Sequence, residues 1–400
     1  MTEPTPWNQH ATQLFAKLEK DGLVKTPELA DVFWDIPRHE YIDALYVHAN
    51  DIPSWRPCPR PKRPEADEDW LARIYADDFL AVKIGEDGIP LCFNMRPSTV
   101  FWLLGLLQVR RGSRVLDIGT GTGQFAALLT RLVGEDGQVM SLEIDPELAS
   151  TARNRIAALL PLAPVTVREA DAAEWHEADR EFDALVSTAS CWTVPPGWLA
   201  ALRPGGRAVI ELRGDLGGAV LLAERSADSA RTLATGEFAD RSIGLMPLRK
   251  PQIDWDGILN LPDVMGGDEL GRAPAKGLGY GQLMMSSFGW YCQLEFPDAK
   301  LLGLQAPTDG LPAKMFLLAD YGMDAVELPF DGTSPDSELV TYGGTSMLLE
   351  RLTAAWQQWQ DYGQPGLDAY SFSADHGEVQ RIRLGETGKS WELTRESQFQ

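Results

Sequence analysis

The sequence is poor in three features, cysteine, positive charge and long apolar runs, and each scarcity excludes a class of protein. Its four cysteines, Cys58, Cys92, Cys191 and Cys292, lie far apart and form no CxxC pair. This spacing argues against a zinc site and a disulfide framework, so we expect free thiols and no metal. No stretch approaches the roughly 20 apolar residues that cross a bilayer, and the first residues lack the pattern of a signal peptide. We therefore expect a cytoplasmic protein with no membrane partner.

Acidic residues dominate the charge. The chain has 36 Lys and Arg residues against 58 Asp and Glu residues, a net charge of −22. Such a surface repels phosphate backbones, whose binding requires a positive patch, so we expect no nucleic-acid partner. The basic cluster between Arg56 and Arg63 lies in a Pro-rich run, and we interpret it as part of a solvated loop over Asn50–Glu68.

Hydrophobic periodicity divides the chain into three predicted parts. Residues 1–110 are mainly helical and end in an apolar helix. From residue 111 to residue 249 short β-branched runs alternate with helical patterns, which is typical of a parallel sheet covered on both faces. Residues 250–400 have short strands and one long helix at Ser346–Tyr362. We predict an α/β, doubly wound domain preceded by a helical segment and followed by a separate C-terminal α+β domain.

A glycine cluster follows the first predicted strand of the central part. The run VLDIGTGTG (Val115–Gly123) lies where a strand meets a helix, and glycines there allow a sharp turn and close approach of a ligand. Its order is D-x-G-x-G-x-G, whereas dinucleotide sites commonly use G-x-G-x-x-G. An acidic residue ahead of the glycines suits a ligand with a cationic amino acid end.

Two further acidic residues follow successive predicted strands. Glu143 ends the next strand, where a carboxylate can accept both hydroxyls of a ribose, and Asp171 follows the third strand, where it can bind an adenine amino group. Each acid alone is equally explained as a helix cap. The three together, at the carboxyl ends of successive parallel strands, predict a binding site for S-adenosyl-L-methionine (AdoMet).

The order of several motifs resembles one enzyme family, the protein-L-isoaspartate O-methyltransferases. The resemblance covers residues 12–249 and is carried by the run Leu14–Gly22 and by IPRHEYI (Ile36–Ile42), YADDFLAVKIG (Tyr75–Gly85), VLDIGTGTGQFAALL (Val115–Leu129), VMSLEID (Val139–Asp145), FDALVSTAS (Phe182–Ser190), LRPGGRAVIEL (Leu202–Leu212) and IGLMPL (Ile243–Leu248). The glycine block is shared with many methyltransferases, whereas the PRH and MPL elements are more specific.

The resemblance implies a Rossmann-like class I AdoMet-dependent methyltransferase domain that acts on an aspartyl or isoaspartyl carboxylate of a polypeptide. It also implies a set of cofactor-binding residues: Asp117, Gly119, Thr120, Gly121, Gly123, Glu143, Asp171 and, near the methyl donor, Thr188. An ionised carboxylate is itself a nucleophile, so this chemistry requires no general base.

The acceptor element departs from the family pattern. The family carries a Ser-Gln/Ala-Pro element beside the acceptor carboxylate, and the corresponding run here is FNMRPST (Phe93–Thr99), with Met95 at the serine position. Asn94, Ser98 and Thr99 are our candidate catalytic residues because they can supply the missing hydrogen bond, and Arg96 can pair with a carboxylate. Equally, Ser98 can be a simple helix N-cap.

The added domain is the second departure, and it leaves three functions open. Similar domains occur in family members that methylate an aspartate of a ribosomally made precursor peptide (graspetides, lanthipeptides, lasso peptides), which then cyclises to an aspartimide. The alternatives are repair of isoaspartate in damaged proteins and a catalytically idle AdoMet-binding docking module. The domain's aromatic residues form either a peptide groove or a core: Trp255, Trp290, Tyr291, Trp356, Trp359, Tyr362, Tyr370 and Phe372.

Overall fold

The computed structural model describes most of the chain and divides it into two compact units. The described residues are 6–48, 55–64, 67–177, 181–227, 231–248, 270–274, 278–305, 312–319, 324–328, 339–376 and 379–394. The first unit comprises residues 1–189 and 195–209, and the second comprises residues 190–194 and 210–400. The sequence had suggested a boundary after residue 249, whereas the units divide at residue 209.

The first unit contains the predicted helical segment and the predicted parallel sheet. Its elements are α1 (Pro6–Lys20), α2 (Pro27–Asp35), β1 (Ala44–His48), β2 (Trp55–Pro59), α3 (Glu68–Ile74), β3 (Leu80–Ile84), β4 (Pro90–Asn94), α4 (Pro97–Leu107), β5 (Arg114–Ile118), α5 (Gln124–Val133), β6 (Gln138–Glu143), α6 (Pro146–Leu159), β7 (Val165–Glu169), β8 (Phe182–Ser187), α7 (Pro196–Ala200) and β9 (Leu202–Arg213), which leaves the unit after Val209.

The parallel sheet has the strand order β9-β8-β5-β6-β7. All four of its pairings are parallel, and β5 lies in the middle. The central strands are buried on both faces because helices cover them, which is why their sequences are continuous apolar runs. The prediction of a doubly wound α/β domain is confirmed.

Local sequence signals explain where the helices begin. The side chain of Thr26 accepts a hydrogen bond from the amide of Leu29 at the start of α2. Asp145 accepts hydrogen bonds from two amides at the start of α6, and a proline follows each of these capping residues. Capping side chains satisfy amides that have no partner within the helix, and proline loses nothing at the first helical position.

A second, antiparallel sheet of the first unit has the strand order β2-β1-β3-β4. Strand β2 lies in the Pro-rich run that we had predicted to be a loop, so that prediction was wrong for Trp55–Pro59. The strand is possible because it is at the edge of the sheet, where proline need not donate a hydrogen bond on its outer side.

The second unit is an antiparallel α+β structure with two sheets. Its elements are β10 (Gly218–Arg225), β11 (Thr232–Phe238), β12 (Gly271–Pro274), α8 (Tyr280–Leu283), α9 (Ser286–Glu295), β13 (Lys300–Gln305), β14 (Pro312–Ala319), β15 (Asp324–Leu328), β16 (Leu339–Gly343), α10 (Met347–Asp361), β17 (Tyr370–Asp375), β18 (Gln380–Leu384) and β19 (Ser390–Leu393). One sheet has the order β19-β18-β17-β11-β10, and the other β12-β16-β15-β14-β13.

The aromatic residues of the second unit are mostly core. Trp290, Tyr291, Trp359, Tyr370 and Phe372 are buried among other side chains, and helices α9 and α10 meet where the ring of Phe288 packs edge-on against Trp356, with centroids 4.7 Å apart. Trp356 and Tyr362 are the more accessible members, and Trp255 lies outside the described residues. This aromatic set therefore stabilises the unit, and most of it presents no groove.

Backbone pairing explains why the second unit begins before residue 249. Strand β11 pairs with β17 from Thr232 opposite Asp375 to Glu237 opposite Ser371, and β10 pairs with the other edge of β11. Residues 218–238 are thus hydrogen-bonded, through β11, to a strand that begins at residue 370. A sequence-local pattern does not reveal a strand partner more than 130 residues away.

We predict that a chain truncated after Leu248 does not behave as an independent domain. The truncation removes β17 and leaves the edge of β11 with unpaired N–H and C=O groups, which promotes aggregation. Size-exclusion chromatography and thermal melting monitored by circular dichroism should show aggregated or uncooperatively melting protein, with the full chain as control. A soluble monomer with a sharp transition would contradict this assignment of β10 and β11.

Candidate active site

The predicted cofactor residues lie at one edge of the parallel sheet. Glu143 is the last residue of β6, Thr188 follows the end of β8, and Asp171 follows β7 by two residues. Asp117 is in β5 and leads into the glycine loop over residues 119–123. Because parallel strands end at the same edge, this is the edge at which ligands of open α/β sheets bind.

The glycine loop requires glycine at specific positions. Gly119 has φ +93°, and a Cβ there would lie 2.6 Å from Thr188 Oγ1. Thr188 Oγ1 donates toward the carbonyl oxygens of Ile118 and Gly119, at 2.9 and 2.8 Å. Gly123 has φ +85°, and a Cβ there would lie 3.1 Å from the Cβ of Ala152 in α6. The glycines thus allow both the turn and close helix packing, as their order in the sequence predicts.

Asp117 is a fully buried carboxylate with one unpaired oxygen. Its side chain is 0% exposed, and its Oδ2 accepts a hydrogen bond from Ser141 Oγ at 2.7 Å. Its Oδ1 has no hydrogen-bond partner among the described residues. Burial, assisted by the negative charge of Glu143 and opposed by the Ser141 hydrogen bond, raises the pKa of Asp117 to about 7. Such a group favours a ligand that brings a donor or a positive charge.

Glu143 connects the two loops that follow β5 and β6. Its Oε2 accepts a hydrogen bond from the amide of Gly121 at 2.8 Å, and its Oε1 accepts one from the amide of Asp145 at 3.1 Å. Ser141 extends the connection, because its Oγ also lies 2.6 Å from Thr120 Oγ1. The carboxylate is therefore fixed in orientation, and each oxygen retains a second lone pair for a ligand hydroxyl.

Asp171 is placed more loosely than the other two acids. Its Oδ1 accepts a hydrogen bond from the amide of Ala173 at 2.9 Å, an Asx turn that shapes the loop after β7. Hydrogen bonds thus connect Glu143 and Thr188 directly to the glycine loop, and Asp117 to it through Ser141. Asp171 is a neighbour at the next strand end. Its role toward adenine stays a prediction.

These residues fit AdoMet on the evidence of the unpaired Asp117 oxygen and of the space that the glycines preserve. The residues that would hold it are Asp117 and the glycine loop toward the amino acid end, Glu143 toward the ribose and Asp171 toward the base. When bound, AdoMet supplies an electrophilic methyl group on a sulfonium. The role of the chain's own groups is to bind and orient that ligand at the edge of the sheet.

The candidate catalytic residues are not equally available to an acceptor. Asn94 is buried, and both ends of its side chain are engaged: Oδ1 accepts from Arg38 Nε at 2.8 Å, and Nδ2 donates to Thr122 Oγ1 and Gln124 Oε1 at 3.1 and 3.0 Å. Thr99 is buried in the first turn of α4. Ser98 is partly exposed. Catalytic roles for Ser98 and Thr99 stay predictions.

The alternative that Ser98 caps helix α4 is wrong. The N-cap residue is Arg96, whose side chain makes no capping hydrogen bond. The amide of Ser98 donates instead to Asp77 Oδ1 at 2.8 Å, so the cap comes from a residue 21 positions earlier. Hydrogen bonds from Lys17 and Ser98 lower the pKa of Asp77 although its burial acts in the opposite direction. Asp77 thus remains an ionised cap.

Sequence reasoning missed Arg38, the arginine of the PRH element. Its five N–H donors are all used: besides Asn94, they reach the carbonyl oxygens of Ile74, Ala76, Asp78 and Met95. Burial lowers its pKa to about 9, which leaves it cationic at neutral pH. Its place in the PRH element, which the resemblance marks as specific to the family, was the available signal. Ser141, a lone hydroxyl in the run VMSLE, was a comparable signal for a buried partner.

The described part of the chain shows neither a metal-binding cluster nor a membrane-spanning helix. No group of three or more His, Cys, Asp or Glu side chains there is arranged to hold a metal ion. None of the helices described combines the length and the apolarity needed to span a membrane. His39, in the PRH element, is buried with its Nδ1 2.7 Å from the hydroxyl of Tyr75, which is a structural position.

We predict that AdoMet binds more tightly as the pH rises from 6 to 8. The pKa of Asp117 is raised to about 7, so the ionised form that attracts the ligand's ammonium group increases through this range. Calorimetric titrations at several pH values should show this rise in the parent protein. Asp117→Asn should bind about 10-fold or more weakly, since a charged hydrogen bond contributes roughly 1.5–3 kcal/mol, and with a flatter pH profile. Equal affinity and pH dependence in both proteins would remove Asp117 from the site.

Comparisons with known proteins agree with this geometry. The family model described as Protein-L-isoaspartate(D-aspartate) O-methyltransferase (PCMT) matches residues 67–235. A protein-L-isoaspartate O-methyltransferase 1 of an Anaeromyxobacter species is 37% identical over 45% of this chain and 83% of its own length. A second relative, protein-L-isoaspartate O-methyltransferase 2 of Archaeoglobus fulgidus, is 31% identical over 46% of this chain and 78% of its own. The enzyme of Anaeromyxobacter dehalogenans is 40% identical, and the match spans 66% of it.

A solved structure extends the likeness of fold beyond the matched sequence. A protein-L-isoaspartate O-methyltransferase superposes with a TM-score of 0.53 at 18% identity, over 93% of this chain and 99% of its own. Taken with the glycine loop and its acids, the sequence matches establish that this chain belongs to the protein-L-isoaspartate O-methyltransferase family, with S-adenosyl-L-methionine as its cofactor.

Proposed function

We propose that this chain methylates the side-chain carboxylate of an aspartyl residue in a ribosomally made precursor peptide, and that the ester then closes to a succinimide (aspartimide). Family membership provides the coarser activity, AdoMet-dependent carboxyl methylation of a polypeptide. The observation that carries the finer proposal is the acceptor segment, where Met95 stands at the position that the resemblance gives to serine.

The methyl transfer requires no acid or base residue of the enzyme, only correct orientation of the two reactants. An ionised carboxylate oxygen forms the bond to the methyl carbon, and the bond from that carbon to sulfur breaks. In the resulting ester, the amide nitrogen of the next residue attacks the carbonyl carbon, loses its proton and expels methanol. The second step is intramolecular and needs no residue of this chain. The protein's contribution is to hold the carboxylate in line and exclude water.

The acceptor segment is rigid, and it is altered in chemistry. Arg38 holds the carbonyl of Met95 at 2.9 Å and the side chain of Asn94, which fixes both backbone and side chain just before α4. At the position of the family's hydroxyl there is a partly exposed thioether side chain, which donates no hydrogen bond. A site ordered in this way and lacking that donor supports an acceptor different from the isoaspartyl α-carboxylate.

Arg96 supplies a positive charge beside this position. Its guanidinium is 3.6 Å from a carboxylate oxygen of Asp78 and lies over the ring of Phe79 at 5.2 Å. Both groups are substantially exposed, so the pair is weak and a substrate carboxylate can replace it. We include Arg96 in the proposed acceptor site, and we propose that the second unit, over the predicted domain 250–400, contributes to peptide recognition.

Repair of isoaspartyl residues is the second candidate. It is supported by the names of the relatives and by the solved isoaspartate enzyme whose fold covers most of this chain. The idle docking module is disfavoured because the intact glycine loop and the unpaired oxygen of Asp117 retain a complete ligand site. The two enzymatic candidates differ in which carboxylate is methylated.

We predict that purified protein methylates a normal aspartate in a side-chain-cyclised peptide and methylates a linear isoaspartyl hexapeptide much more slowly. Constraint by the ring keeps the carboxylate near its binding conformation and lowers the entropy lost on binding. Mass spectrometry should show a gain of one methyl group that mild alkali removes, followed by loss of methanol. Methylation of the isoaspartyl peptide alone would favour the repair enzyme, and no transfer to either would favour the docking module.

We predict that Met95→Ser raises activity toward the isoaspartyl hexapeptide by about 5-fold or more. The hydroxyl restores a hydrogen-bond donor at the acceptor position, and one such bond contributes about 1 kcal/mol. Met95→Ala is the matched control, because it removes the same bulk without adding a donor. The kcat/KM of the three proteins should rank the serine variant first. Equal gains in both variants would show that only space matters at this position.

A further inference from the structure

The hairpin of β3 and β4 contacts both loops that form the cofactor site. On β4, Asn94 hydrogen-bonds to Thr122 and Gln124, which follow β5. On β3, Lys83 Nζ lies 2.8 Å from Asp145 Oδ2 and 2.7 Å from Glu147 Oε2, at the start of α6. The amide of Asp145 in turn donates to Glu143. One hairpin therefore reaches the loops of two adjacent strands.

The orientation of the Asn94 amide follows from its partners. Arg38 Nε can only donate, so the atom facing it at 2.8 Å is the Asn94 oxygen, and the nitrogen faces Thr122 and Gln124. Both N–H groups of Asn94 are then used, and the side chain is only 7% exposed. Asn94 has no donor left for a methyl acceptor, although the sequence had suggested a catalytic role.

Thr122 is held from both of its ends. Its hydroxyl accepts from Asn94, and its carbonyl oxygen accepts from the guanidinium of Arg155 in α6 at 2.6 Å. Thr122 lies between Gly121, whose amide donates to Glu143, and Gly123, which caps α5. A displacement of Asn94 is thus transmitted to the centre of the glycine loop.

We propose that Asn94 is a positioning residue that couples the glycine loop to the acceptor segment at residues 94–97. Binding of AdoMet fixes the loop, the loop restrains Asn94 through Thr122, and the acceptor segment, which Arg38 already anchors, fluctuates less before a peptide arrives. Because coupling between two binding sites is reciprocal, an acceptor peptide tightens AdoMet binding by the same factor. This inference rests on the proposed AdoMet and acceptor sites.

AdoMet affinity of point variants tests the coupling without a methyl acceptor. Thr122→Val should weaken AdoMet binding about 3- to 10-fold in calorimetry, the loss expected for one buried hydrogen bond. Asn94→Leu also breaks the bonds to Arg38 and Gln124 and should weaken AdoMet binding at least as much. The double variant should bind no more weakly than the worse single variant, because both changes break the same link. Thr122→Ser keeps the hydroxyl and should bind like the parent. Thr130→Val removes another buried hydroxyl, which bonds only within α5, and is the matched control.

Hydrogen exchange separates positioning from general destabilisation. In the parent protein AdoMet should slow exchange of amides over residues 91–98, and in the Asn94 and Thr122→Val variants this protection should be lost while protection of the glycine loop remains. Undiminished protection over residues 91–98, or additive losses of affinity in the double variant, would overturn the coupling. A parent protein that binds AdoMet but shows neither effect leaves the proposed function standing, whereas failure of the parent to bind AdoMet overturns both.

Discussion

The buried carboxylate of Asp117 is the constraint on which the site depends. Removing an ionised carboxylate from water costs several kcal/mol, and one hydrogen bond from Ser141 compensates only part of this. Burial therefore raises the pKa of Asp117 to about 7, because the buried site disfavours the ionised form. A fold that retains such a residue near the carboxyl end of its central strand favours a ligand that supplies the missing partner. Ser141 hydrogen-bonds to this carboxylate, and Glu143 and the glycines shape the loop that follows it.

Arg38 is a second buried charge, and unlike Asp117 it has a hydrogen-bond partner for each of its polar groups. Every donor of its guanidinium is satisfied, so it adds no unpaired group and instead joins the segments at residues 74–78 and 94–95. The contrast between the two charges is informative. Full satisfaction of a buried charge is typical of a structural role, whereas an unpaired oxygen on Asp117 is typical of a binding role.

Much of the first unit was predictable because its signals are local. The apolar runs of β5 and β6, Asp145 and Pro146 at the start of α6 and the glycine order each act within a few residues. They predicted the strands, the helix start and the sheet edge at which the three acids lie. Proline composition misled the prediction at Trp55–Pro59, because edge position is a property of the sheet and not of the segment. Strands β10 and β11 were missed, and the start of the second unit at residue 210 differed from the suggested boundary, because β11 acquires its β17 partner only in the folded chain.

The role of Asn94 shows the same limit at the level of one side chain. Its partners are 56, 28 and 30 residues away in sequence, so the sequence does not reveal them. The sequence therefore suggested that the Asn94 amide is available to a substrate, whereas its hydrogen-bonding groups are all engaged within the protein. Only those polar side chains of the acceptor segment that are not bonded within the protein can contact a substrate. With Asn94 committed and Met95 unable to donate, the groups left to the proposed acceptor site are those of Arg96 and the first turn of α4. The buried Arg38 thus fixes the backbone of the proposed acceptor segment, while the side chains of Met95 and Arg96 remain accessible to a ligand.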